Sequence, residues 1–190
     1  MPKIVISIPF WNCDDGKTQI LYDCVQSLKG YDSLVILAGK QASLPIAWNM
    51  CLDLAFNMGA DYCVLSNDDI VLQNGLISDL CKPDTVVSPI VNGNTDSEKK
   101  FHAHIFGLPR SVWEKVGRMD ERFQLYFSDT DYCKRIMDAG IPMETNYDVN
   151  VLHKEPARTL KHFAGITEKS DEEKFVEKWG KKWWDPSVGR

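Results

Sequence analysis

No stretch of this chain approaches the roughly 18–20 consecutive apolar residues that cross a bilayer, so no membrane span is expected. A dominant charge of one sign is missing too. Lys and Arg number 22 against 27 Asp and Glu, and the balance of −5 gives no general affinity for polyanions. The cysteines at 13, 24, 51, 63, 81 and 133 contain no Cys-x-x-Cys pair, and most fall in apolar periodic segments. They read as small buried hydrophobes of a reducing compartment. Met1-Pro2-Lys3 leads directly into a strand and leaves no room for a signal peptide, so a cytoplasmic location is expected. Internal repeats and linkers are also lacking. What remains is 190 residues, 44% of them hydrophobic, which suits one globular domain with a sizeable core.

Within that domain the most informative residues are Asn67-Asp68-Asp69, which follow the largely apolar run 61–66 and precede Ile70-Val71-Leu72. Adjacent ionised carboxylates repel, and a cation relieves the conflict. Mg²⁺ or Mn²⁺ held by one or two carboxylates, with phosphate oxygens completing the shell, would do so. Asn and Asp are also ordinary turn residues. On the triplet alone, both readings stand.

The order of elements places the triplet. Lys3 to Ile8 is a β-branched run stopped by Pro9, a first strand buried on both faces. Residues 18–29 put Leu21, Cys24, Val25 and Leu28 on one helical face, ending at Gly30. Ser33 to Leu37 is a second strand. Ser43 is placed to cap a helix with Pro45 in its first turn and Ile46, Met50, Cys51, Leu54, Ala55 and Met58 at helical spacing. A third strand then runs into the triplet. This alternation predicts an α/β domain with a right-handed parallel sheet of the doubly wound type, and with the triplet on its ligand-binding edge.

The second half has a different rhythm. A short helix over 74–80 precedes a strand over 85–91, whose Pro89 suits an edge or a bend. Residues 92–100 read as a loop, 102–108 as a strand, and 109–117 as a helix. Ser128 and Asp131 have the spacing of a capping box, which leaves Asp129 over as a candidate general base at a helix N-terminus. His153 leaves a strand predicted over 148–152. Ser170 and Glu173 suggest a capping box for a final helix carrying Phe175, Val176, Trp179 and Trp183 on one side. His102 and His104 share a strand face, but no cysteine or carboxylate nearby completes a zinc site. The Trp and Lys residues of the final helix could form a nucleic-acid face. Their spacing favours packing, with the lysines solvated.

Taken in order, these residues resemble the A-type nucleotide-sugar glycosyltransferases, specifically the large inverting family 2. The resemblance rests on Ile4–Ile8 followed by Pro9-Phe10-Trp11-Asn12, on Pro45-Ile46-Ala47-Trp48-Asn49, and on Gly59-Ala60-Asp61-Tyr62 leading to Asn67-Asp68-Asp69. It is closest over 107–140. There Arg110, Glu114-Lys115-Val116-Gly117, Asp120-Glu121-Arg122-Phe123 and Tyr126-Phe127-Ser128-Asp129-Thr130-Asp131 follow in the family's order. The resemblance implies a single-domain α/β GT-A (Rossmann-like) fold over 1–190, with a mixed, mainly parallel central sheet flanked by helices, a nucleotide-sugar half (1–91) and an acceptor and catalytic half (101–190). It implies Asp69 and His153 as ligands of Mn²⁺ or Mg²⁺, and Asp129 as the base that deprotonates the acceptor. Pro9, Phe10, Asn12, Asn49, Asn67 and Asp68 would lie on the donor side, and Gly107, Ser128 and Asp131 on the acceptor side.

The implied reaction is inverting transfer of a sugar from a nucleoside-diphosphate sugar, UDP-linked by default, to a hydroxyl of a glycan or small molecule. A nucleic-acid acceptor is a lesser alternative. The chain departs from the family at Asn67 and Ser128, which replace acidic residues. It also lacks an aspartate after the second strand, and Trp48 stands where a basic residue is common. A catalytically impaired nucleotide-sugar-binding module is the second reading.

Overall fold

The computed structural model describes residues 1–12, 16–94, 101, 103–154 and 168–180. In chain order these form β1 (Ile4–Phe10), α1 (Lys17–Ser27), β2 (Ser33–Ala38), α2 (Leu44–Asn57), β3 (Tyr62–Ser66) and β4 (Ile70–Asn74). After a short 3-10 turn at Ile77–Leu80 come β5 (Val86–Val91), β6 (Ile105–Pro109), α3 (Arg110–Val116), α4 (Ser128–Asp138), β7 (Met143–His153) and α5 (Glu168–Trp179). The strands make one seven-stranded sheet in the order β2-β1-β3-β6-β5-β7-β4. β6 and β4 run antiparallel to the other strands, so the sheet is mixed with a parallel majority. Among the described residues, no helix is long and apolar enough to cross a membrane.

The period-2 alternation of a strand explains how β1 and β3 feed two cores. Val5, Cys63 and Leu65 pack on one face with Cys51, Leu52, Ala55 and Phe56 of α2. Ile4, Ile6, Ile8 and Val64 point to the other face, against Cys24 of α1 and Ile70 of β4. α2 begins as its sequence predicts: Ser43 Oγ accepts the Ile46 N–H at 3.3 Å, with Pro45 in the first turn. A separate aromatic cluster of Phe123, Phe127 and Phe175 joins α5 to the start of α4.

Several local expectations change. β5 is an interior strand between β6 and β7, not an edge. Pro89 is accommodated because its register with β7 shifts between Pro89 and Ile90, a bulge that absorbs the missing N–H. The predicted helix over 74–80 shrinks to the 3-10 turn. Ser170 lies inside α5, which already begins at Glu168, so it is not that helix's cap. His102, most of the loop expected over 92–100, and Trp183 lie outside the described residues.

Candidate active site

Pairing within the sheet assembles the site. β3 ends at Ser66, the triplet turns, and β4 runs back antiparallel to β7 with Ile70 opposite His153. The Lys154 N–H donates to the Asp69 carbonyl at 2.9 Å. The Asn67 N–H donates to the His104 carbonyl at 2.8 Å, tying the triplet to the approach to β6. These contacts bring His153 Nε2 to 3.1 Å from Asp69 Oδ2. The backbone N–H of His153 is held by Asn92 Oδ1 at 2.8 Å. The His104 ring packs on the His153 ring with centroids 4.2 Å apart.

The two carboxylates of the triplet have different fates. Asp68 is neutralised by Lys17, a buried lysine at the start of α1, across 2.6 Å. Burial pushes the Asp68 carboxyl above its ordinary value, and the Lys17 hydrogen bond opposes this. Asp69, 7% exposed, keeps Oδ1 buried with no partner among the described residues. Removing one member of a buried ion pair costs about 3–5 kcal/mol, because the other charge is left without compensation. Lys17→Met should therefore lower the melting temperature by about 6–20 °C. Adding Asp68→Asn to it should recover most of that loss in thermal denaturation. A single variant that melts with the wild type would show that Lys17 does not compensate Asp68.

The triplet borders a cavity of about 350 Å³ lined also by Pro9, Phe10, Trp11, Trp48, His104, Tyr126, Ser128, Asp129 and His153. Six buried side-chain atoms lack partners among the described residues. Three of them, Asp69 Oδ1, Trp48 Nε1 and Ser128 Oγ, belong to residues of this lining. Buried polar groups are nearly always satisfied, so this concentration in one cavity marks a place for a polar ligand.

The far wall is built by the start of α4. The α4 N-cap is Phe127, in the left-handed region at φ 61°, and it makes no side-chain cap. The expected Ser128–Asp131 capping box is thus not formed. Ser128 is already inside the helix, and Asp131 is a fully buried counter-ion. Its carboxylate accepts from Trp179 Nε1 at 2.9 Å and Arg135 Nε at 3.0 Å, and pairs with Lys178 at 2.6 Å. Asp129 lines the cavity, and its Oδ1 accepts the Thr130 N–H at 2.8 Å.

Of the residues singled out from the sequence, Pro9, Phe10, Asn67, Asp68, Asp69, Ser128, Asp129 and His153 thus share one cavity. Asn12, Asn49, Gly107 and Asp131 do not line it. Asn49 is fully buried and holds the backbone of Met119 through bonds of 3.0 and 2.8 Å, with Glu121 Oε1 at 2.8 Å. Gly107 is required by packing: a Cβ there would lie 1.9 Å from the Leu80 carbonyl oxygen. Lys17 and the stacking role of His104 escaped the sequence reading, and Trp11 and Tyr126 stood in its motifs without a site role. A lone lysine opening an amphipathic helix carries no signal of a distant carboxylate.

Rival chemistries find little support. Burial pushes the thiols of Cys24, Cys63, Cys81 and Cys133 up to about 12, so these are not nucleophiles near neutral pH. Two basic groups of α5 are engaged within the protein, whereas Lys169 is exposed. Lys174 pairs with Asp171 at 2.7 Å, and Lys178 with Asp120 at 2.8 Å and with Asp131. Arg122, then Lys178, holds the Asp120 carboxyl well below the usual carboxylate range. For the described Lys178 and Trp179 this favours packing over a nucleic-acid face, while Lys181, Lys182, Trp183 and Trp184 lie outside the described residues.

No protein-family model matches the sequence, and no curated protein sequence matches it. Solved structures do. The mannosyltransferase PcManGT from Pyrobaculum calidifontis, in complex with GDP-Man and Mn²⁺, superposes with a TM-score of 0.68 over 98% of this chain and 68% of its own, at 13% identity. The catalytic domain of Drosophila beta1,4galactosyltransferase 7, in complex with xylobiose, gives 0.60 over 90% of this chain and 79% of its own, at 14% identity. S. aureus TarS gives 0.57 over 92% of this chain and 42% of its own, at 8% identity. The chain has the GT-A fold of the nucleotide-sugar glycosyltransferases.

Proposed function

We propose that the protein is a divalent-metal-dependent glycosyltransferase that moves a sugar from a nucleoside-diphosphate sugar to an acceptor hydroxyl, with inversion. The observation that carries this reading is Asp69, whose buried Oδ1 has no partner among the described residues while Oδ2 lies 3.1 Å from His153 Nε2 at the edge of the cavity. A carboxylate beside an imidazole is a donor pair that fits Mn²⁺ or Mg²⁺. Among the described residues no three His, Cys, Asp or Glu side chains form a complete metal cage. Asp69 and His153 would therefore hold the ion together with diphosphate oxygens and water. When bound, the ion would neutralise charge on the leaving diphosphate.

The remaining roles fall to the chain's own groups. Among the described residues, Asp68, Asp69 and Asp129 are the carboxylates of the cavity lining. Lys17 engages Asp68, and Asp69 serves the diphosphate, which leaves Asp129 to take the acceptor proton. A single base without a second carboxylate nucleophile suits direct displacement, and hence inversion. Phe10, Trp11, Trp48 and Tyr126 give the cavity apolar walls that exclude water and offer ring faces to a sugar. The acceptor expected at such a site is a glycan or a small hydroxyl compound.

A panel of nucleotide sugars with and without Mn²⁺, read by thermal shift and nucleotide release, tests this. Metal-dependent stabilisation by at least one donor, with turnover, is expected. The second reading, a binding module impaired by Asn67 and Ser128, predicts the same stabilisation without release. No metal-dependent shift with any donor would refute both.

A further inference from the structure

We propose that Asp171 of α5 is a positioning residue that holds the acceptor wall of the cavity and the start of α4 in working geometry. This rests on the transferase reading for its consequence, though not for its structural content. Asp171 is fully buried and does not line the cavity. Its Oδ2 accepts the N–H groups of Gln124, Leu125 and Tyr126 at 3.1, 2.9 and 3.0 Å. Oδ1 takes Lys174 Nζ at 2.7 Å. Residues 124–126 belong to no helix or strand. Successive backbone donors converging on one carboxylate form an anion-binding nest, here filled by a side chain of the same molecule.

The segment so held forms one wall of the site. Leu125 and Tyr126 line the cavity, as do Ser128 and Asp129 beyond Phe127. The Gln124 carbonyl accepts the Leu44 N–H at 2.8 Å, so the wall is strung between α2 and α5. Phe127 sits at a positive φ that a non-glycine residue adopts only when its surroundings impose it. Those surroundings are the Phe175 ring, 5.7 Å away, together with Phe123. Further along, Trp179 Nε1 bonds Asp131 at 2.9 Å, so α5 grips α4 from a second point. The Asp69–His153 pair, in contrast, is set by the β4–β7 ladder. Asp171 should therefore govern the acceptor step and leave metal-dependent donor binding alone.

Two measurements decide this. Hydrogen exchange on the intact wild-type protein should show the amides of 124–126 protected by at least about a hundredfold, although they lie outside regular structure. Exchange at unprotected loop rates would overturn the proposal. In Asp171→Asn those amides should lose at least about tenfold of that protection. The acceptor KM should rise by about tenfold or more, while the Kd for the Mn²⁺-nucleotide stays within about twofold. If acceptor and nucleotide constants deteriorate together, or neither moves, Asp171 has no acceptor-specific role. A chain that neither binds nor turns over nucleotide sugars would sink the transferase reading, and amide protection would still decide whether the clamp exists.

Discussion

Asp69→Ala should abolish metal-dependent nucleotide binding while leaving the apo protein folded. Among the described residues one oxygen of the buried Asp69 carboxylate has no partner and the other lies 3.1 Å from His153 Nε2, so the substitution removes one unmet demand and one hydrogen bond, and the net change in apo stability should be small. Its loss leaves His153 alone to hold a cation. A ligand at about a hundredfold its Kd stabilises a protein by about 2.7 kcal/mol, about 5–10 °C for a chain of this size. Wild type should show that shift with Mn²⁺ and a nucleoside diphosphate, and Asp69→Ala should show none. Transfer should fall by about 10³-fold, the rate equivalent of several kcal/mol of leaving-group stabilisation. Retention of the metal-dependent shift would move the site elsewhere.

Asp129→Asn should separate binding from chemistry. The amide is nearly isosteric and can still accept the Thr130 N–H through its oxygen, so the start of α4 should persist. It cannot take a proton. General-base catalysis is worth about 10²–10⁴-fold, and kcat should drop by that factor with little change in donor affinity. Undiminished kcat would mean that another group, or the acceptor itself, deals with the proton.

The elements carrying a local pattern were legible in the sequence. β1, β2, β3 and α2 follow from apolar periodicity and from the Ser43 cap, and Gly59 stands where α2 had to stop. Asp69, Asp129 and His153 were named from strand ends, a helix start and a family likeness, and all three line one cavity. What the sequence could not show were partners far apart along the chain. Lys17 meets Asp68, and Asp171 meets Gln124 to Tyr126, only through tertiary folding, and in the second case the partners are backbone N–H groups without residue identity. Ser128 and Asp131 misled because a short cap motif is indistinguishable from a helix interior whose carboxylate is claimed by Trp179, Lys178 and Arg135. Pro89 left an edge and a bend both open, and only pairing decides: β5 is interior and its register shifts between Pro89 and Ile90. Gly107 matched a family position, yet its cause here is the close approach of the Leu80 carbonyl.

The central claim is that Asp69 and His153 bind a metal–diphosphate unit. Titration calorimetry of nucleoside diphosphates into the wild-type protein, with Mn²⁺ and then with excess chelator, tests it most directly. At least one diphosphate should bind with Mn²⁺ and lose tenfold or more in affinity with chelator, on the order of 1.4 kcal/mol. Equal affinity in both conditions, or binding of none, would contradict it.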